Sequence, residues 1–359
     1  MSRTPATRLF DWLQARVPLR AAIEFAQHKQ VPHYKGSVWY YFGGVSLFLF
    51  IIQVVSGILL MMYYQPGIQT GYESVRMIVV HVRFGWLVRS IHTWSANLFI
   101  LAIFIHMFSV FFTKAFRRPR ELTWLTGLVL LALAMGFGFS GYLLPWNTLA
   151  YFATKVGTAI VAVTPLVGRP ILEILRGGKE VGAETLTRFF GLHVAILPAI
   201  FTAVLASHLM LVQLQGMHEP HSWEKLPASK KRFMPFFPNF ILRDVLLWLI
   251  VLNLLAVLAV MFPWELGHKA DPGIAAPAGI KPEWYFLFMY QALKYFPGKI
   301  LGIDGDAIGI LMFAIAGLLW LLVPLWDPRL PEGIRNRVLN YVGIAVVLGG
   351  IALTVIGLR

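Results

Sequence analysis

Long apolar segments alternate with shorter polar connections along almost the whole chain. A helix needs roughly 20 mostly apolar residues to cross the hydrocarbon core of a bilayer, and seven segments satisfy this length and composition. The pattern therefore predicts an all-α integral membrane protein with seven transmembrane helices. The seven predicted spans lie at about 38–62, 91–112, 122–144, 189–212, 241–263, 305–325 and 338–358.

A polar stretch divides the spans into a group of four and a group of three. Four prolines in 218–239 exclude a continuous helix there, because proline lacks the backbone N–H and clashes with the preceding turn. Two other connections, 145–188 and 263–303, are too long for simple turns. We predict a leader at 1–37, a four-helix domain at 38–217, a linker at 218–239 and a three-helix domain at 240–359.

The leader is basic and amphipathic. Leu9, Phe10, Leu13 and Val17 recur at helical spacing beside basic residues, a pattern typical of a helix lying in the headgroup region of a membrane. A disordered tail is the alternative. The leader lacks the short apolar core and cleavage site of a signal peptide, so we expect the first span to be retained.

Composition agrees with a membrane location, since 58% of the residues are hydrophobic and 13% are charged. The formal charge of +14 does not indicate nucleic-acid binding, because the basic residues flank the spans instead of clustering in one soluble module. More Lys and Arg lie on the side of the leader than on the opposite side. By the positive-inside rule the N-terminus is cytoplasmic, and the two long connections lie outside. The chain has no cysteine, which excludes a disulfide, a cysteine-ligated cluster and a heme attached through thioether bonds.

Four histidines lie in or at the ends of two spans, where an ionisable side chain indicates a functional site because its burial is expensive. His92 and His106 are 14 residues apart, within about 40° on one helix face and roughly 21 Å along the axis. His193 and His208 are 15 apart, with an offset of about 60° and roughly 22 Å. If the two spans face each other, the imidazoles form two pairs, each able to hold one iron porphyrin through two axial nitrogens. Hydrogen-bonded packing or a proton path is the alternative.

Glycines in two other spans repeat the same interval, because Gly43 and Gly57 are 14 residues apart, as are Gly127 and Gly141. Such slim backbone suits the passage of a heme edge, and close helix packing is the alternative. Arg89 stands one turn before His92. There it can neutralise a heme propionate, or it can be an ordinary interfacial arginine.

Four motifs give nearly the whole chain a resemblance to the cytochrome b/b6 family. They are Arg89-Ser-Ile-His92-Thr-Trp-Ser, Gly141-Tyr-Leu-Leu-Pro-Trp146, Thr187-Arg-Phe-Phe-Gly-Leu-His193 and Pro282-Glu-Trp-Tyr285. Arg120-Glu-Leu-Thr-Trp124 and Glu173-Ile-Leu-Arg-Gly177 are similar to the chloroplast and cyanobacterial branch. In that branch a four-helix cytochrome and a three-helix partner are separate chains. Here both halves are fused, which indicates a bacterial enzyme.

The resemblance implies a four-helix di-heme bundle followed by three helices, with two b-type hemes and quinone as cofactors. His92 and His193 would bind a low-potential heme near the outer face, and His106 and His208 a high-potential heme near the cytoplasm. In the family the motif at 282–285 lines a quinol oxidation pocket, which implies catalytic roles for Glu283 and Tyr285. The other residues implied at the quinol pocket are Tyr142, Pro145, Trp146, Pro282 and Trp284, and Asp244 resembles an acidic residue of an inner quinone site.

The chain departs from the plant-like branch at positions near the inner heme. That branch has a cysteine anchoring an extra c-type heme where this chain has Trp39-Tyr40-Tyr41-Phe42, so no covalent heme c is expected. Ser109 and Gln213 stand where the branch usually has basic residues. The inner site is therefore expected to differ in its quinone contacts.

The function implied is that of the cytochrome b subunit of a bacterial quinol:cytochrome c oxidoreductase in the plasma membrane. Quinol oxidation outside would give one electron to a separate Rieske iron–sulfur protein. The other would cross the membrane to an inner quinone, and proton translocation would result. A c-type cytochrome subunit and a homodimer of the complex are further expectations from the resemblance. Two alternatives are a di-heme anchor of a formate dehydrogenase or hydrogenase and a transporter with histidine proton relays.

Overall fold

The computed structural model describes residues 4–164, 167–223, 226–300 and 302–359, so the first three residues of the predicted leader lie outside the described part. Most of the described residues are helical. In chain order the α-helices are α1 (Pro5–Gln14), α2 (Leu19–His28), α3 (Tyr41–Met61), α4 (Gly71–Val80), α5 (Gly85–Phe112), α6 (Glu121–Leu143), α7 (Thr148–Ala162), α8 (Gly168–Arg176), α9 (Ala183–Gly191), α10 (Leu197–Gln215), α11 (Ile241–Met261), α12 (Trp284–Leu293), α13 (Gly305–Leu321), α14 (Val323–Trp326) and α15 (Glu332–Leu358).

The predicted all-α membrane fold is confirmed. Within the described residues six continuous helical segments are long and apolar enough to cross a bilayer. The sixth predicted span is a bent pair instead of one straight helix, because Gly305–Leu321 and Val323–Arg329 meet at 62°. Pro324 lies at the start of the second piece and cannot donate a backbone hydrogen bond to the preceding turn. The continuous segments are Lys35–Met61, Gly85–Phe112, Glu121–Leu143, Ala183–Gln215, Phe236–Met261 and Gly333–Leu358.

The first four long helices form a bundle in which α3 packs along α5 and α6 packs along α10. An aromatic layer fills the middle of this bundle. The ring of Phe201 lies 4.5 Å from that of Phe50, 5.8 Å from that of Phe137 and 6.0 Å from that of Phe99, measured between centroids. Phe99 and Phe201 each lie between the two histidines of their own helix, so an apolar layer separates two histidine levels.

The leader is helical, as the amphipathic pattern predicts, and the disordered-tail alternative is not observed in α1 and α2. Leu9 and Trp12 of α1 are more than half exposed, and the helix buries no residue against the rest of the chain. After α2 the chain forms β1 (Gln30–Pro32), which pairs antiparallel with β2 (Phe233–Pro235) of the linker. The end of the leader is thereby fixed to the linker.

The last three spans dock on the bundle through a stacked aromatic pair and a buried ion cluster. Phe111 and Trp320 stack with ring centroids 4.2 Å apart. Arg117 donates through Nε and Nη2 to the two carboxylate oxygens of Asp327, at 2.7 and 3.0 Å. Arg335 lies 3.7 Å from the same carboxylate, whose side chain is 1% exposed. A bidentate pair at such burial specifies one docking geometry.

Replacing Asp327 with Asn is expected to destabilise the chain by about 3–5 kcal/mol, because Arg117 and Arg335 would keep their charges without a carboxylate. The measurement is the thermal unfolding midpoint of the purified protein in detergent. Glu73→Gln is the matched control, since Glu73 forms ion pairs while its side chain is 47% exposed, and such pairs contribute about 0–1 kcal/mol. Equal shifts in the two variants would contradict the expectation.

Candidate functional site

The four intramembrane histidines lie on two helical segments of the bundle. His92 and His106 belong to α5, His193 lies in a π turn at Leu192–Ile196, and His208 lies in α10. His92 and His193 face each other with ring centroids 6.4 Å apart and rings inclined by 72°. His106 and His208 are neighbours at the other level. The structure therefore brings the four histidines together in the two predicted pairs.

The π turn explains how unequal sequence intervals give matched levels. At the end of this turn the N–H of Leu197 donates to the carbonyl of Leu192, five residues back. In a regular α-helix the acceptor is four residues back, so the π turn contains one extra residue. The 15-residue interval from His193 to His208 then has the geometry of a 14-residue interval. The expected offset thereby changes from about 60° on one side of the helix to about 40° on the other side, as in α5. Pro198, which has no N–H for the preceding turn, follows directly.

Each of the four predicted glycines touches one histidine ring. Because no side chain intervenes, the imidazole lies directly on the backbone of the neighbouring helix. The glycines of α3 and the glycines of α6 are each 14 residues apart because each of these helices contacts one histidine ring at each of the two levels. A methyl group built on the glycine would lie 3.2 Å from Cε1 of His106 at Gly43, 3.3 Å from that of His92 at Gly57, 3.3 Å from that of His208 at Gly127 and 2.6 Å from that of His193 at Gly141.

The donor set fits a planar metal cofactor held from both faces. In three of the four rings Nδ1 lies within hydrogen-bond distance of a hydroxyl, which leaves Nε2 to bind a metal. The ring centroids of His92 and His193 are 6.4 Å apart. This is roughly the distance expected if both rings bound one metal, since each would contribute a metal–nitrogen bond of about 2 Å and half the width of its ring. Among the described residues no three His, Cys, Asp or Glu side chains converge. A heme with two imidazole ligands therefore matches the donor set better than a metal held by protein ligands alone.

Arg89 is buried, and its contacts are backbone carbonyls. The guanidinium donates to the carbonyls of Trp264 and Glu265, at the start of the connection between α11 and α12. The indole N–H of Trp94 donates to the carbonyl of Phe262 at 2.8 Å. These contacts fix the connection to the end of α5 near His92. The predicted contact between Arg89 and a heme propionate stays a prediction.

A cavity of about 350 Å³ opens between the end of α6, α7 and α12. Tyr142, Pro282, Glu283 and Tyr285 line it, so four residues predicted for the quinol pocket come together. Gly138 allows the close approach of Tyr285, because a methyl group there would lie 2.9 Å from Cζ of that ring. Most of the remaining lining is apolar, which suits a ligand with an apolar body and few polar atoms.

The other predicted pocket residues lie beside the cavity and do not line it. Trp146 is 2% exposed and packs edge-to-face on Tyr151 with centroids 5.5 Å apart. Pro145 precedes it in the turn after α6. The indole N–H of Trp284 donates to Oδ1 of Asn97 at 2.7 Å, which ties α12 to the helix that bears His92. In this structure these side chains support the walls of the cavity.

One wall of the cavity comes from α7, which the sequence reasoning did not assign to the site. Val156, Gly157 and Ile160 of this helix face the cavity. The helix lies inside the long connection at 145–188. A start signal was present, because Asn147 caps the helix by accepting from the N–H of Ala150 at 2.8 Å. A capped, apolar 15-residue helix in a long connection between spans is therefore a signal for a pocket wall.

Glu283 is half-buried at the start of α12, and burial raises the pKa of its carboxyl above the ordinary value of 4.5. Burial and the nearby charge of Glu283 also raise the pKa of Tyr285. The cavity therefore contains one carboxyl that binds a proton more readily than an ordinary glutamate does. The phenols of Tyr142 and Tyr285 stay protonated and act as hydrogen-bond donors.

Asp244 lies at the level of the second histidine pair. Its carboxylate packs on Gly44 of α3, next to the Gly43 that touches His106. Oδ1 of Asp244 and the hydroxyl of Tyr41 are both buried, and Trp248 and Arg243 respectively are their side-chain neighbours within hydrogen-bond reach. A buried acceptor beside a buried hydroxyl is suited to bind a small polar group.

The two departures from the plant-like pattern have different surroundings. Gln213 accepts a hydrogen bond from the ammonium group of Lys29, which comes from the end of the leader. Burial lowers the pKa of Lys29. A cation from the leader therefore lies at the position of Gln213. The hydroxyl of Ser109 donates to the carbonyl of His106 at 2.7 Å.

Two family models match separate parts of the chain. The model described as cytochrome b/b6/petB matches residues 28–216. The model described as cytochrome b(C-terminal)/b6/petD matches residues 269–359.

Individual proteins are similar over most of the chain. A cytochrome bc complex cytochrome b subunit from Chlorobaculum thiosulfatiphilum is 50% identical over 337 residues, which is 94% of this chain and 77% of that protein. A cytochrome b6 from Gracilaria tenuistipitata var. liui is 40% identical over 213 residues, 59% of this chain and 99% of that protein. A solved structure described as a hyperthermophilic respiratory Complex III matches with a TM-score of 0.83 at 30% identity, covering 97% of this chain and 91% of that one.

Proposed function

The chain belongs to the cytochrome b/b6 family, and on that premise we propose that it is the cytochrome b subunit of a bacterial quinol:cytochrome c oxidoreductase. In this role it oxidises quinol at an outer site, delivers electrons to an inner quinone site and contributes to proton translocation. Family membership argues against the transporter and the dehydrogenase or hydrogenase anchor. The similarity to a bc complex subunit and to a Complex III structure supports assembly with other subunits.

We assign the four histidines as heme ligands, His92 with His193 at the outer level and His106 with His208 at the inner level. The paired geometry, the glycine contacts and the free Nε2 atoms support this assignment. When bound, a b-type heme with two imidazole ligands supplies a one-electron site without an open position for oxygen. The aromatic layer around Phe201 lies between the two levels.

The cavity beside the outer histidine pair carries the functional proposal. It combines an apolar body with one carboxyl, three phenols and the ammonium group of Lys281, and such groups can hydrogen-bond the two hydroxyls of a quinol ring. The hydrogen bond from Trp284 to Asn97 connects its lining helix α12 to α5, which bears His92. A quinol in this cavity would therefore lie next to the outer level.

Proton handling follows from the side chains in the cavity. Oxidation of a quinol releases two protons, so an acceptor within hydrogen-bond reach is required. Glu283, with its raised pKa, is poised to take one of them as a general base. The phenols of Tyr142 and Tyr285 donate hydrogen bonds that orient the ring. The residues of α7 that line the cavity are apolar, so among the described residues Glu283 is the one carboxyl of the lining that can take this proton.

The rate of quinol oxidation is expected to fall with decreasing pH, because Glu283 accepts a proton only in its ionised form. Since burial raises the pKa of this carboxyl, the fall begins above the ordinary range of a glutamate. The measurement is the pH dependence of quinol:cytochrome c reductase activity of the purified complex. A complex that lacks this activity at every pH would overturn the proposed function, and a flat acidic limb would overturn only the role of Glu283.

The inner quinone site is proposed beside Asp244, on the basis of its buried acceptor oxygen and its place next to the inner histidine level. The remaining proposals concern the assembly. A Rieske iron–sulfur protein and a c-type cytochrome subunit are needed as partners, since the chain has no cysteine for either cofactor. A homodimer of the complex in the bacterial plasma membrane, with a cytoplasmic N-terminus, is proposed from family likeness and from the distribution of Lys and Arg.

A further inference from the structure

In three of the four histidines, Nδ1 lies within hydrogen-bond distance of a side-chain hydroxyl group. The three hydroxyls come from the neighbouring helices α3 and α6, and none of them belongs to the helix of its histidine. The pairs are Ser56 Oγ with His92 at 2.9 Å, Thr126 Oγ1 with His208 at 3.0 Å and Ser140 Oγ with His193 at 3.1 Å.

The direction of these hydrogen bonds is set by the helices that supply the hydroxyls. Ser56 donates its own proton to the carbonyl of Ile52 at 2.6 Å. Thr126 and Ser140 likewise donate to carbonyls of α6. Each hydroxyl oxygen is therefore free to accept from Nδ1–H of the imidazole. His193 and His208 are also hydrogen-bonded to the backbone of Phe137 and Thr123, and since a carbonyl can only accept, Nδ1 is the donor in these rings. This fixes the tautomer that leaves the lone pair of Nε2 free.

A two-residue sequence pattern encodes the arrangement. Each hydroxyl residue comes directly before the glycine that touches the same ring, as in Ser56-Gly57, Thr126-Gly127 and Ser140-Gly141. The fourth glycine, Gly43, departs from the pattern, because the residue before it is Phe42. The ring of His106, which Gly43 touches, therefore has no hydroxyl at that position. Nδ1 of His106 is buried without a hydrogen-bond partner among the described residues.

We propose that Ser56, Ser140 and Thr126 are positioning residues that set the electron-donor strength of their histidines. A hydrogen bond accepted from Nδ1–H makes the imidazole a more basic ligand. A more basic ligand stabilises the oxidised metal and lowers its reduction potential. This inference rests on the proposed heme ligation and adds to it a cause for unequal potentials.

The asymmetry assigns different potentials to the two levels. Both histidines of the outer level donate to a hydroxyl, whereas at the inner level only His208 does. Phe42 occupies the position from which a hydroxyl would serve His106. The inner heme therefore has the higher potential because one of its two ligands is the weaker donor.

The test is potentiometry of the two b-type components in the purified complex. Ser56→Ala is expected to raise the potential of the outer component alone, and Thr126→Val that of the inner component alone. Each shift is expected to approach a tenfold change in the reduction equilibrium, which is 59 mV for one electron. Ser56→Thr keeps the hydroxyl, so the potential of the outer component is expected to stay at the wild-type value. Ser207→Ala is the matched control, because its hydroxyl bonds only the carbonyl of Ala203.

Phe42→Ser supplies the missing hydroxyl and is expected to lower the potential of the inner component. If Ser56→Ala loses the outer component altogether and Ser56→Thr retains it, the positioning role is supported. Two components with wild-type potentials in all variants would overturn the inference and leave the proposed function intact. A wild-type complex without any b-type component would overturn the proposed function itself.

Discussion

Replacing Glu283 with Gln is expected to lower the rate of quinol oxidation by about 10²- to 10⁴-fold, the usual contribution of a positioned general base. Glutamine keeps the shape of the side chain and its place in the cavity wall, but it cannot accept a proton near neutral pH. Tyr142 and Tyr285 do not replace it, because their phenols are proton donors in this pH range.

The measurement for Glu283→Gln is steady-state quinol:cytochrome c reductase activity, with the reduced-minus-oxidised spectrum recorded on the same sample. Both b-type components should keep their wild-type amplitude, since Glu283 directly precedes α12 and is not one of the four paired histidines or the glycines that touch them. Glu265→Gln is the matched control, because Glu265 is exposed in the same connection. Wild-type turnover in Glu283→Gln would remove the proposed proton acceptor without affecting the heme assignment.

His92→Ala and His106→Ala are each expected to abolish one b-type spectral component. The two histidines lie on the same helix but in different pairs, facing His193 and His208. Each variant leaves its level with one imidazole, whereas holding a porphyrin from both faces would need two. Loss of the outer component should also stop quinol oxidation.

The control for the histidine variants is His81→Ala. His81 is exposed at the end of α4 and belongs to neither of the two histidine pairs. Gly141→Ala gives a second route to the same result, since its methyl group would meet His193 at 2.6 Å and displace the ring. Loss of both components in His92→Ala alone would point to misfolding. Retention of both components in His92→Ala and Gly141→Ala would contradict the paired ligation.

The histidine pairs could be predicted from the sequence because the number of residues between two positions on a regular helix determines their angular offset and their separation along the axis. His92 and His106 need only a regular helix for this. The interval of 15 residues in the other helix could not be interpreted so simply. The π turn that corrects it depends on Pro198 and on packing against α6, and a sequence pattern indicates a bend there without its form.

The cavity was predictable in part. The motif at 282–285 pointed to Glu283 and Tyr285, but not to the orientation of Trp284, which depends on Asn97 of another helix. Arg89 likewise binds two carbonyls that are more than 170 positions away in the chain. Contacts of this kind depend on how distant segments dock, and local periodicity carries no information about them.

The most direct test of the paired-histidine account is the heme content of the purified chain. The wild-type protein is expected to contain two b-type hemes per chain, both extracted by acidified organic solvent because no cysteine attaches them. The measurement is a pyridine hemochrome spectrum normalised to the chain concentration from amino-acid analysis. Two extractable hemes would support both histidine levels as cofactor sites. A value of one heme or none, or heme that stays with the protein after extraction, would contradict the account.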